Sequence, residues 1–221
     1  MALSLTIIII AITAVTSFIA FSNQKVQDDL IFYPPAITRN HQWYRFITCG
    51  FIHADIGHLA FNMLSFYFFG QSQGRITGVE DTFISYFGDK GKGLYLLLYI
   101  STLIVCLLPT YFKHKNNAYY KSLGASGAVS AIIFVGIFVA PLNKIGFFII
   151  PPVIPGFIFG PLYLVLSGYM AKRGRDNINH SAHLWGALYG LVFFTIACFA
   201  LTTKNPIIDF TDQVTAWVKS F

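Results

Sequence analysis

Residues 3–21 carry no charged side chain. A helix crosses the hydrocarbon core of a bilayer with about 20 mostly apolar residues, so this one run already directs the chain toward lipid. A cleavable leader would begin with basic residues and hold a shorter apolar stretch. Met1-Ala2 offers no positive charge, and the segment is expected to be a retained first span. Composition agrees: 55% of residues are hydrophobic and 11% charged, against about a quarter charged in soluble domains. The net charge of +6 is spread over short loops instead of gathered into a stripe, which excludes a nucleic-acid reader. Cys49, Cys106 and Cys198 are widely spaced and suggest neither a disulfide framework nor a zinc site.

Five more apolar segments follow, at about 56–70, 94–112, 127–142, 155–170 and 182–202. Residues 22–52 between the first two form a long polar-aromatic connection with Pro34-Pro35. Residues 70–93 form a glycine-rich loop carrying Arg75, Glu80 and Asp81. The apolar stretch 145–152 is too short to cross and is expected at the interface. Gly156, Gly160 and Pro161 interrupt the fifth span. The expected architecture is an all-α membrane protein, a six-transmembrane-helix bundle forming one domain over residues 1–221. No internal repeat of the transporter kind is visible. With the N-terminus in the cytoplasm, six positive charges fall inside and nine outside, Arg75 and Arg175 among them. The positive-inside rule leans the other way.

Polar groups inside a span are costly and usually functional. The short list is His58, Asn62, Ser126 and His183. The second, fourth and sixth spans start from the same side of the membrane. His58 and Asn62 lie in the first turns of the second, Ser126 starts the fourth, and His183 lies in the first turn of the sixth. All four therefore share one depth near one face. Small residues let these spans approach: Gly127, Ala128, Ser130 and Ala131 in the fourth, and Ala182, Gly186 and Gly190 at every fourth position in the sixth. The same spacing also serves ordinary helix packing.

Ser126 stands in Gly124-Ala125-Ser126-Gly127, between a polar loop and an apolar helix. The orphan N–H groups of a helix start can hold an oxyanion. A serine there can equally be a helix cap. No strand precedes it, so it is not the elbow of the α/β-hydrolases. A neutral His183 imidazole can take a serine proton. His58 and Asn62, four residues apart, share a helix face and can donate to developing negative charge. They can also simply tie the second span to its neighbours. His53, His58 and Asn62 lack the HExxH pattern of a zinc peptidase.

Together these residues resemble the rhomboid family of intramembrane serine proteases, from about Trp43 to Gly190. The likeness begins with Tyr44-Arg45 and continues with His53-x4-His58-x3-Asn62. It then runs through Val79-Glu80 and Gly124-Ala125-Ser126-Gly127 to Ala182-His183-x2-Gly186-x3-Gly190. The resemblance implies a Ser–His dyad, with Ser126 as nucleophile and His183 as base. It implies an oxyanion site formed by His58, Asn62 and the backbone at Ser126 and Gly127. It also implies substrates that are transmembrane proteins met in the lipid bilayer, with no cofactor, metal or nucleic acid, and a bacterial-type plasma membrane as the setting. In the family the fifth span gates substrate entry. Two other readings are an inactive rhomboid-like protein that binds membrane clients, and a small transporter, whose polar groups would be spread through the membrane depth. Many relatives carry an aromatic ring four residues after the nucleophile, where this chain has Ser130. Its hydroxyl, or a ring such as Tyr189 or Tyr67, is expected to orient His183, unless Ser130 is merely small and lets the fourth and sixth spans touch. Trp185 replaces a common glycine, and His180 is an extra titratable group.

Overall fold

The computed structural model describes residues 3–74, 76–147, 150–173 and 178–221. Met1-Ala2 and the loop charges Arg75 and Arg175 lie outside the described residues. Ser4 caps α1 (Leu5–Ser22), and Asn23 both ends that helix and caps α2 (Gln24–Leu30). The long connection that follows is folded. Pro34 and Pro35 sit in the first turn of α3 (Pro34–Asn40), where a missing N–H has no intrahelical partner to lose. Then come α4 (Arg45–Thr48) and one 3₁₀ turn, Cys49–Phe51. Phe32, Ile37 and Phe46 pack this region against Leu107 and Tyr111.

Asp55 caps α5 (Ile56–Gly70) by accepting from the His58 N–H at 2.8 Å. The glycine-rich stretch beyond it is not all loop, because it holds α6 (Val79–Phe87). The third apolar segment divides into α7 (Gly91–Val105) and α8 (Leu108–His114). Pro109 opens the second piece instead of closing a single rod. After α9 (Ser126–Val139), the described residues of the stretch expected at the interface belong to two antiparallel paired strands, β1 (Lys144–Phe147) and β2 (Ile150–Pro155). Three helices complete the chain: α10 (Gly156–Arg173), α11 (His180–Leu201) and α12 (Pro206–Val218).

The centre is α9. Nine of its fourteen residues are buried, and it packs against α5, α6, α7, α10, α11 and α12. Three helical stretches are long and apolar enough to cross a membrane: Leu5–Ser22, Val79–His114 and His180–Leu201. The outer surface is apolar at Leu97, Val165, Val192 and Ile196, which suits lipid as the solvent. This is an all-α membrane bundle, with one two-stranded sheet among the described residues.

The buried face of α1 carries hydroxyls, Thr6, Thr13 and Ser17. At the start of the helix, the Glu80 carboxylate accepts from the N–H groups of Leu5 and Thr6 at 2.8 and 2.9 Å. It also accepts from the hydroxyls of Ser4 and Thr6 and from the Gln71 amide. A carboxylate there satisfies orphan donors and complements the helix dipole. Glu80 therefore fastens α1 at one end of the bundle.

Candidate active site

The other end of the bundle gathers the first turns of α5, α9 and α11. Gly124 turns the chain into α9 with φ of 112°, a left-handed value that glycine adopts without strain. A Cβ there would stand 2.7 Å from Cε1 of His58. The loop therefore lies directly on the His58 ring. Ala125 occupies the cap position and Ser126 is the first helical residue. The Ser126 hydroxyl is not used as a cap. Its Oγ lies 2.7 Å from Nε2 of His183.

His183 reaches that position because α11 lies backbone to backbone on α9. A methyl at Gly186 would overlap the carbonyl of Gly127, and a methyl at Gly190 would stand 2.7 Å from the carbonyl oxygen of Ala131. Asn179 fixes the first turn of α11. Its Oδ1 accepts from the Ala182 N–H at 3.1 Å, and its side chain is paired with the Thr110 hydroxyl on α8.

Around the pair, Asn62 is 2% exposed, and its Nδ2 donates to the His58 carbonyl at 3.0 Å. One N–H of that amide is left for another acceptor. His53 is fully buried, with its ring edge-on to His58 at 4.9 Å. Burial lowers its pKa to about 3. The neighbouring His58 pushes in the same direction, and Asp55 opposes both. His53 is thus neutral across the physiological range.

The remaining residues singled out in the sequence divide clearly. Arg45 is buried away from the Ser126–His183 pair. It donates to Gln42 Oε1 and to the carbonyls of Asp28 and Ile31, with Asp29 at 3.8 Å. It organises the connection between α1 and α5. Glu80 belongs to the far end of α1. Ser130 is buried, and its hydroxyl stands 3.4 Å from Tyr163 Oη on α10. Tyr189, one of the rings considered for orienting His183, donates to Ser101 on α7, and the other, Tyr67, is exposed. His180 is buried with its ring 5.8 Å from that of His183, and Trp185 faces outward. No three His, Cys, Asp or Glu side chains among the described residues are grouped to hold a metal ion.

Three contributors escaped sequence reasoning. Tyr163 is one of many aromatic residues in an apolar helix and gave no signal. Asn179 had one, since an Asn just before an apolar run is a capping residue. Ser17, whose Oγ lies 3.0 Å from Nδ1 of His53, had a weaker one, as the last of a series of hydroxyls in a charge-free span.

The description "Rhomboid domain" fits residues 40–199 of the chain. Among curated proteins, the chain is 32% identical to the RHOMBOID-like protein 12, mitochondrial, of Arabidopsis thaliana, over 64% of this chain and 42% of that one. It is 28% identical to the putative rhomboid protease YdcA of Bacillus subtilis, over 69% and 66% of the two chains. It is 30% identical to the rhomboid protease GluP of the same organism, over 72% and 27%. The matches span 42% and 51% of the two plant relatives. A bundle of apolar helices with the Ser126–His183 pair at one end defines the class as a multi-helix membrane protein. The chain belongs to the rhomboid family.

Proposed function

We propose that the chain is an intramembrane serine endopeptidase that cuts transmembrane segments of other membrane proteins near one face of the bilayer. The observation that carries this reading is the Ser126 Oγ to His183 Nε2 distance of 2.7 Å, within the range in which a base activates a serine. His183 Nε2 takes the hydroxyl proton as Oγ bonds to the scissile carbonyl carbon. The carbonyl electron pair moves onto oxygen. His58, Asn62 and the backbone N–H groups of Ser126 and Gly127 donate to that oxyanion. Collapse breaks the C–N bond, and the amine leaves with the proton from His183. Water then attacks the acyl-serine, giving its proton to His183, and the serine is restored. No metal or cofactor takes part. A bacterial-type plasma membrane is the proposed setting, with all six apolar segments crossing it.

Labelling with a fluorophosphonate tests the reading. The unaltered protein is expected to label and to cleave a model transmembrane substrate. Ser126→Ala and His183→Ala each abolish cleavage, and the double variant is no worse, because residues that act as a unit are not additive. Substantial turnover in either single variant would sink the assignment. An unlabelled protein that still binds membrane clients would be an inactive relative instead. His58→Ala and Asn62→Ala are expected to lower kcat about 10²- to 10³-fold with little change in KM, the usual cost of one oxyanion donor.

A further inference from the structure

His53 lies between α1 and the segment that carries Ser126, and both its ring nitrogens are engaged. Nε2 accepts from the Ala125 N–H at 3.5 Å. Nδ1 lies 3.0 Å from Ser17 Oγ. Ser17 Oγ also lies 3.1 Å from the Phe51 carbonyl oxygen and donates to it.

These contacts admit one arrangement of hydrogens. An Nε2 that accepts carries no hydrogen, so a neutral ring bears its hydrogen on Nδ1. Nδ1–H then donates to Ser17 Oγ, and the Ser17 hydroxyl hydrogen is left for the Phe51 carbonyl. The bonds run in one direction: Ala125 N–H to His53, His53 to Ser17, Ser17 to Phe51. Ala125, His53 and Ser17 are all fully buried, so a broken link leaves buried polar groups unpaired, at a cost.

We propose that Ser17 and His53 are positioning residues, a relay that runs from the first helix to the Gly124–Ala125–Ser126 segment and holds Ser126 in register with His183. The functional part of this rests on the proposed role of Ser126. Two further features support it. At the other end of α1, Glu80 pins the backbone of Leu5 and Thr6, so the relay pulls on a strut fixed at its far end. On its inner side the relay touches His58, whose ring lies edge-on to His53 and under Gly124. Loss of the relay frees the Ala125 N–H just before the nucleophile, and the Ser126 to His183 distance tolerates little drift.

Two measurements on the full chain in detergent test the proposal. The first is independent of proteolysis: ¹⁵N-histidine spectra report the ring tautomer, and hydrogen exchange reports the Ala125 amide. The unaltered protein is expected to show His53 with hydrogen on Nδ1 and a slowly exchanging Ala125. Ser17→Ala leaves Nδ1–H without its acceptor and is expected to weaken that tautomer preference and speed Ala125 exchange at least tenfold. The second measurement is turnover. Ser17→Ala is expected to lower kcat three- to tenfold at unchanged KM. His53→Ala lowers it further, and His53→Gln recovers part of the loss through its own acceptor and donor. The double variant Ser17→Ala/His53→Ala matches His53→Ala alone.

Hydrogen on Nε2, or Ala125 exchange indifferent to Ser17→Ala, overturns the relay whatever the activity. A lower melting temperature with kcat per folded molecule unchanged also overturns it, leaving a packing role only. If the tautomer and exchange results hold and the unaltered protein neither labels nor cleaves, the relay stands and the endopeptidase reading falls.

Discussion

The two helices that flank α9 on either side of the site meet it in different ways. α11 lies on it through glycine: Gly186 and Gly190 bring main chain against main chain, and no side chain intervenes. α10 meets it through rings. Tyr163 packs on Phe134 at 5.6 Å and bonds Ser130, while a methyl at Gly160 would stand an ordinary 3.6 Å from Phe134. α10 also has Pro161 in its interior, which removes one helical hydrogen bond. Its Leu162, Val165, Leu166 and Tyr169 face outward. The helix that brings His183 to Ser126 is therefore set by hard contact, and the other is held by adjustable side chains. Tight backbone packing fixes a distance to tenths of an ångström. Ring packing permits small shifts at modest cost.

Five substitutions would break or sharpen this contrast. Gly186→Ala forces a methyl into the Gly127 carbonyl and is expected to have the largest effect. It should destabilise by about 3 kcal/mol, at the upper end of overpacking, and abolish fluorophosphonate labelling by separating His183 from Ser126. A stable, fully labelled Gly186→Ala protein would show that α11 is not set by the glycine contact. Next, Ser130→Tyr places a second phenol where Tyr163 already stands. A loss of about 1 to 3 kcal/mol is expected in thermal unfolding, whereas a neutral result would mean that the space can accept a ring from α9. Tyr163→Phe keeps both ring contacts and loses one hydroxyl pair. About 0.6 kcal/mol is typical of such bonds in membranes, so a small drop in melting temperature is expected, matched by Ser130→Ala. The smallest effect belongs to Gly160→Ala. With only ordinary contacts to Phe134 and Ile137, and a gain in helix propensity offset by the restriction that Pro161 places on the residue before it, its stability should change by less than about 0.5 kcal/mol. A loss as large as that of Gly186→Ala would erase the distinction between the two helices.

Much of the site was legible because its chemistry needs rare residues in an apolar chain. A histidine or asparagine inside an apolar run stands out, and His58, Asn62, Ser126 and His183 all fall in the first two turns of their helices, as their segments suggested. Short apolar runs were less legible. Residues 145–152 read as an interfacial segment without a stated secondary structure, and those described belong to two paired strands, since a run of that length suits strand or helix and only pairing decides. The third segment read as one helix, although it breaks at Cys106 and restarts before Pro109. A proline near a run's end is compatible with stopping one helix or starting another.

The sequence by itself determined the solvent and the fold class, because length, hydropathy and periodicity are properties of single segments. Its small-residue spacing also marked which faces could approach. Only the tertiary structure decided which partner each polar group takes. Ser130 turned to Tyr163 across a helix boundary, Asn179 paired with Thr110, and Ser17 met His53 across 36 residues of chain. Hydrogen bonds act over about 3 Å, and no local pattern encodes a distance between segments that become neighbours only when the bundle closes.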